Sequence, residues 1–258
     1  MLEVCVDSYA SCVAAVAGGA DRLELCANLI IGGTTPSNAL FCQVRERFTG
    51  AIHVLIRPRF GDFLYTEEEQ WEMCESIRRF RELGADGIVI GALRPEGVLD
   101  QEKMRELVEC AGAMSVTLHR AFDMTRDPRT ALEEAIVLGC RTILTSGQRA
   151  AAIQGVPLLA ELYRAADGRI DIMAGAGVNS QNISQIHDLT GITTFHTSGR
   201  RGTLDSGMIY RKAEVSMGLP SISEYEILRT DEAEVRACSD LLTALTFTRF
   251  QSSGRMSQ

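Results

Sequence analysis

The sequence has no run of eighteen apolar residues and no basic start followed by an apolar stretch. A helix that crosses a bilayer needs about twenty apolar residues in a row, so neither membrane insertion nor export is expected, and the expected location is the cytoplasm. Positive charge is also scarce: 26 Lys and Arg stand against 34 Asp and Glu, for a net charge of −8. Nucleic acid and anionic membranes would be repelled by that mean field, so neither is expected as a partner. The eight cysteines, at 5, 12, 26, 42, 74, 110, 140 and 238, form no C-x-x-C pair. That excludes a zinc ribbon and a small disulfide scaffold, and most of them read as small buried hydrophobes. No Pro-, Gly- or Ser-rich linker divides the chain, and no G-x-G-x-x-G follows the first apolar run, which argues against an open dinucleotide-binding sheet.

What the chain does have is alternation. Eight short aliphatic runs, LEVCV (2–6), RLELC (22–26), HVLIRP (53–58), DGIVIG (86–91), SVTLH (115–119), RTILTSG (141–147), DIMAGAG (171–177) and TTFHTSG (193–199), read as strands. Helical patterns lie between them at about 8–17, 37–48, 66–83, 101–111, 128–138, 150–166 and 179–189. Strands that alternate with helices imply a parallel sheet, and eight such units in 258 residues favour closure into a (β/α)8 TIM barrel. Glycines close several helices just before a strand, in GGAD (18–21), LGAD (83–86) and LGCR (138–141), where a left-handed cap ends a helix. The expected organisation is one domain over 1–258, with the barrel at about 1–199 and a C-terminal extension of loop and helix over about 200–250. Asp231 and Glu234 mark the N-terminus of that last helix.

Strand side chains alternate between two faces. The apolar set faces the helices, which turns Glu3, Cys5 and Asp7, Glu24 and Cys26, Arg57, and Thr117 and His119 toward the barrel interior or its mouth. A barrel built only for stability fills these layers with Val, Ile and Leu. Buried charges are costly unless paired, so they imply either an internal pair, such as Glu24 with Arg57, or a ligand.

The polar strand-end loops fall on one face, and their residue types suit an anion. Glu24, His119 and Asp123 are candidate acid/base groups, with Asp123 placed to orient His119. Arg57, Arg59 and Arg120 are candidate anion contacts, with Asp62 in the loop of the first two and Ser146 in the loop after strand six. Gly175 and Gly177 after strand seven, and His196, Thr197, Ser198 and Gly199 at the end of strand eight, lie where many barrels bind phosphate; tight turns alone are the competing explanation. Arg200 and Arg201 read as a loop or ligand contact, and His53 and His187 as structural. Cys5 and Cys26 share one inward phase on adjacent strands. Two thiolates there suit a soft ion such as Cu(I), and two inert buried cysteines are the plainer alternative.

The motifs LEVCVDS (2–8), GGADRLELC (18–26), GGTTPS (32–37), IRPRFGDFLY (56–65), TLHRAFDM (117–124), LTSG (144–147), MAGAGV (173–178) and FHTSGRRGTLDSGM (195–208) together resemble the CutC copper homeostasis family over nearly the whole chain. The resemblance implies a TIM barrel, a cytoplasmic copper-binding role and Cys5 and Cys26 as Cu(I) ligands. Thr197 stands where some relatives carry a cysteine after the strand-eight histidine, which weakens any third thiolate beside His196. The main functional expectation is therefore a Cu(I)-binding homeostasis protein. The alternative is a barrel enzyme acting on a small anionic substrate, phosphorylated or sugar-like. A symmetric dimer is the expected assembly.

Overall fold

The computed structural model describes residues 1–212, 214–215, 217–218 and 222–253, with side chains described as far as Leu245. Eight parallel strands close into a barrel in chain order: β1 (Leu2–Val6), β2 (Arg22–Leu25), β3 (Ala51–Leu55), β4 (Gly87–Ile90), β5 (Ser115–Leu118), β6 (Thr142–Thr145), β7 (Asp171–Ala174) and β8 (Thr194–Thr197). The helices between them are α1 (Tyr9–Ala17), α2 (Asn38–Arg45), α3 (Glu67–Glu82), α4 (Gln101–Ala111), α5 (Pro128–Val137), α6 (Val156–Ala166) and α7 (Ile183–Thr190). Every expected strand and helix is present. The strand expected over 53–58 begins earlier, at Ala51, and ends at Leu55. Pro58 has no N–H to offer a ladder, so Arg57 lies in the loop that follows the strand.

Local chemistry explains the boundaries. Ser8, Ser37, Thr66, Asp100 and Asp127 each cap a helix by accepting a backbone N–H, and Thr66 with Glu69 completes a capping box on α3. Gly84 and Gly139, just past α3 and α5, have φ of +87° and +86°. That left-handed turn lets the chain leave each helix and enter the next strand.

The C-terminal segment carries a two-stranded antiparallel sheet, β9 (Thr203–Asp205) with β10 (Glu226–Leu228), and then helix α8 (Glu232–Ser253). Asp231 accepts the N–H groups of Ala233 and Glu234 at its start, as expected of an N-cap. α8 packs against both α7 and α1. It therefore stands as the outer helix of the eighth unit, and what is added to the barrel is the long β8-to-α8 connection. No helix among the described residues is long and apolar enough to cross a membrane.

Two separate cores result. The large one lies between strands and helices and includes Val4, Leu23, Ile52, Ile88 and Phe195. The small one lies inside the barrel, where Cys5, Cys26, Leu55 and Val89 pack together. Inward layers follow the strand pleat: one is Glu3, His53, Thr117 and Met173, and the next is Glu24, Val89, Leu144 and His196. Aliphatic residues fill one half of the interior and ionisable ones the other.

Candidate functional site

The ionisable half is built around Glu3, which is fully buried on β1. Closure of the sheet sets β8 beside β1 with His196 level with Glu3, and His196 Nδ1 lies 2.8 Å from Glu3 Oε1. Arg22 on β2 donates to the other Glu3 oxygen at 2.5 Å. Burial alone would raise the Glu3 pKa, but the His196 hydrogen bond and the Arg22 charge outweigh it and hold the carboxyl down to about 2. His196 is pushed the other way. Burial opposes its charged form, yet Cys5, Glu24 and Glu3 around it raise its pKa well above the usual range.

The other ring nitrogen of His196 looks up toward the mouth, with Nε2 3.8 Å from Glu24 Oε2. Cys5, Glu24 and His196 each place one ligand atom within 4.8 Å of the other two. Cys26 stands beside this group: its thiol donates to Glu24 Oε2 at 3.4 Å. Burial raises the pKa of Glu24 despite the favourable His196 charge, and burial likewise raises that of Cys26. The candidate metal centre is thus a thiol, an imidazole and a carboxyl, with a second thiol adjacent. The cluster sets Glu24 and His196 beside Cys5, and Cys26, expected together with Cys5, lies next to it. The sequence offered His196 as an anion contact at the end of strand eight, and barrel closure is what sets it with Cys5 and Glu24.

Above this centre opens a cavity of about 400 Å³ whose wall includes Cys5, Glu24, His119, His196, Gly177 and Ser198. Arg57, Arg120 and Arg200 supply its cationic side. The expected Glu24–Arg57 pair does not form: Arg57 donates to the carbonyls of Gly32, Gly33 and Gly61 instead, at 3.2, 3.0 and 2.7 Å. Its guanidinium lies 5.1 Å over the Phe63 ring, which in turn packs 4.8 Å from His119. Gly91 makes room for His119, since a Cβ at that position would lie 2.6 Å from the imidazole. Burial and the nearby Arg57 charge push the His119 pKa down to about 3, so the ring is neutral.

His119 and Asp123 are not brought together as a base and its orienting group. His119 Nδ1 accepts the Ala121 N–H at 3.1 Å and so caps the short 3-10 turn Arg120–Met124. That turn carries Asp123 toward β6, where it accepts from Arg120, Thr145, Ser146 and Gln148. Ser146 is spent in the same cluster. Arg59 and Asp62 pair with each other at 3.0 Å, and Arg59 with Glu69 at 2.6 Å, in the exposed loop before α3 and away from the cavity wall. Gly175 serves packing, because a Cβ there would meet Leu144 at 2.4 Å. The Gly199 N–H is already taken by Thr197 Oγ at 3.1 Å.

Sequence reasoning passed over Glu3 as a positioning group and Asn179 as a wall residue, and it placed Arg200 only as a loop or ligand contact. Arg200 donates to Asp7 at 2.6 Å on the cavity wall. The visible signal was the inward phase of Glu3. His187 is structural as expected, with Nδ1 on the Ile192 carbonyl at 2.8 Å.

A family model described as the CutC family matches residues 1–201. A "family protein CutC" from Bacteroides fragilis is 48% identical over 248 residues, 95% of this chain and 97% of its own length. The "Copper homeostasis protein cutC homolog" of Homo sapiens is 45% identical over 237 residues, 92% of this chain and 86% of its own length. Among solved structures, a CutC protein from Streptococcus agalactiae superposes with a TM-score of 0.74 at 30% identity, covering 77% of this chain and 98% of that one.

Proposed function

Since the chain belongs to the CutC copper homeostasis family, we propose that it binds Cu(I) at the barrel mouth, with Cys5 and His196 as the principal ligands. The observation that carries this reading is the histidine held by a carboxylate: Glu3 fixes Nδ1 at 2.8 Å, which turns Nε2 toward the Cys5 and Glu24 side. Such an outer carboxylate orients a ligating imidazole and raises its basicity. Thiolate and imidazole are donors that suit copper, and thiolate in particular selects the monovalent ion. Glu24 contributes through its link to Cys26, whose thiol lies within reach as a further soft donor.

All eight cysteines are free, seven of them buried. This fits a reducing cytoplasm, where Cu(I) is also the stable form of the metal. The test is titration of reduced protein with Cu(I) against a competing chelator, without oxygen. Cys5→Ser is expected to weaken binding more than about 100-fold. Cys26→Ser and Glu3→Gln are expected to cost about 10-fold to 100-fold, as neighbours of a ligand do. Coincident curves for wild type and Cys5→Ser would overturn the reading.

A further inference from the structure

Arg57 brings a positive charge into the cavity wall at 7% exposure. Its terminal nitrogens donate to backbone carbonyls, the neutral Tyr65 hydroxyl lies beside it, and it has no carboxylate partner among the described residues. A buried charge without a counter-charge is costly unless something anionic meets it. Three N–H groups of residues that line this cavity are buried and unpaired among the described residues. Arg57 Nε and Arg200 Nε are buried and find no acceptor among the described residues. His119 Nδ1 already accepts the Ala121 N–H, so the ring proton must sit on Nε2, which is also buried and without a partner.

The carboxylates on the wall are otherwise engaged. Glu234 accepts from Ser180 at 2.7 and 3.1 Å and pairs with Arg201. Glu24 takes the Cys26 thiol. Arg120 and Arg200 have Asp123 and Asp7 as counter-charges, which leaves Arg57 as the cavity's uncompensated cation.

We propose that this cavity binds a small organic anion, a carboxylate or a phosphate ester, whose charge is met by Arg57 and whose oxygens accept from the unpaired donors of the Arg57, Arg200 and His119 side chains. A space of about 400 Å³ is of metabolite size rather than ion size. Phe63, packed between Arg57 and His119, adds apolar surface to the cavity wall for the carbon skeleton. The inference needs no metal, so it stands or falls apart from the copper reading.

The experiment uses metal-free, reduced, full-length protein. Melting is followed with inorganic phosphate, with citrate and with glycerol at the same millimolar concentrations, ionic strength being matched with sodium chloride. A saturable rise with phosphate or citrate is expected, since a ligand that binds only the folded state raises its melting temperature; glycerol and sodium chloride should give none. A rise with phosphate alone identifies the phosphate ester, and one with citrate alone the carboxylate.

His119→Asn keeps an acceptor for the Ala121 N–H and withdraws the Nε2 donor. Arg200→Gln withdraws a second donor from the far side of the cavity. Each is expected to weaken anion binding about tenfold, as loss of a hydrogen bond to a charged group does. Absence of a saturable rise with either anion would overturn the proposal. So would equal dissociation constants for wild type and both variants, which would place the anion on the general surface.

Discussion

Two polar clusters cap the strand ends, and they differ in how completely they are satisfied. Around Asp123, whose side chain is 6% exposed, the carboxylate accepts from Arg120 Nε at 2.8 Å, Thr145 Oγ at 2.5 Å, Ser146 Oγ at 2.9 Å and the backbone of Ser146 and Gln148 at 3.1 Å. Around Arg57 and His119, buried N–H groups are left without acceptors. From the sequence both clusters read alike, as polar residues at strand ends. A closed network has no capacity left for a ligand, so it fixes loops. An open one keeps donors in hand, at a cost in stability that a binding site carries.

The contrast can be broken at either cluster. The largest effect is expected for Asp123→Ala, which strands several donors at once and should cost about 3 kcal/mol in urea unfolding. At the open cluster, Gly91→Ala sets a Cβ 2.6 Å from His119 and 2.8 Å from the Ala121 Cβ. That overpacking should cost about 2 kcal/mol and lower anion affinity by shifting the ring. A loss of stability without a loss of anion affinity would separate His119 from the site.

Acid sharpens the difference further. His119 and His53, held by burial at about 3 and about 4 in the folded protein, both take up protons near pH 6.5 once unfolded. The unfolded chain therefore binds more protons between about pH 6.5 and 4, and stability falls as pH falls through that window. His119→Asn should flatten the slope by one proton, about 1.4 kcal/mol per pH unit, in denaturant midpoints measured across it. His196, raised rather than lowered, is protonated in both states there and adds nothing to the slope. Glu3 joins only below its ordinary carboxylate range, its contribution being lost as pH falls toward about 2. The smallest effect is expected for Arg59→Ala in the exposed loop pair: a change within about 0.5 kcal/mol and no change in anion or Cu(I) affinity.

Period-two and helical patterning carried the eight strands, the helices and the inward phase of Cys5, Glu24, Arg57 and His119. What it could not carry was level. Phase says that Glu24 and Arg57 both face inward, but the stagger between strands places Cys5 and His53 beside Glu24, while Arg57, beyond the end of β3, turns to the glycine carbonyls. His119 and Asp123 are four positions apart and invited a pairing. The 3-10 turn between them rotates Asp123 onto β6, and three-residue periodicity of that kind leaves no apolar stripe to read. Glu3 and His196 are separated by 193 positions, and nothing short of ring closure puts them together.

That separation also sets a schedule for the molecule's birth. The β1 and β2 members of the candidate centre leave the ribosome early, and the imidazole that Glu3 holds arrives with the last barrel strand. A nascent chain thus carries Cys5 and Cys26 but no assembled centre until β8 has been made. Any premature capture of a soft ion would lack the histidine, and a chain cut short before β8 would have none of the finished site's geometry to compete for one.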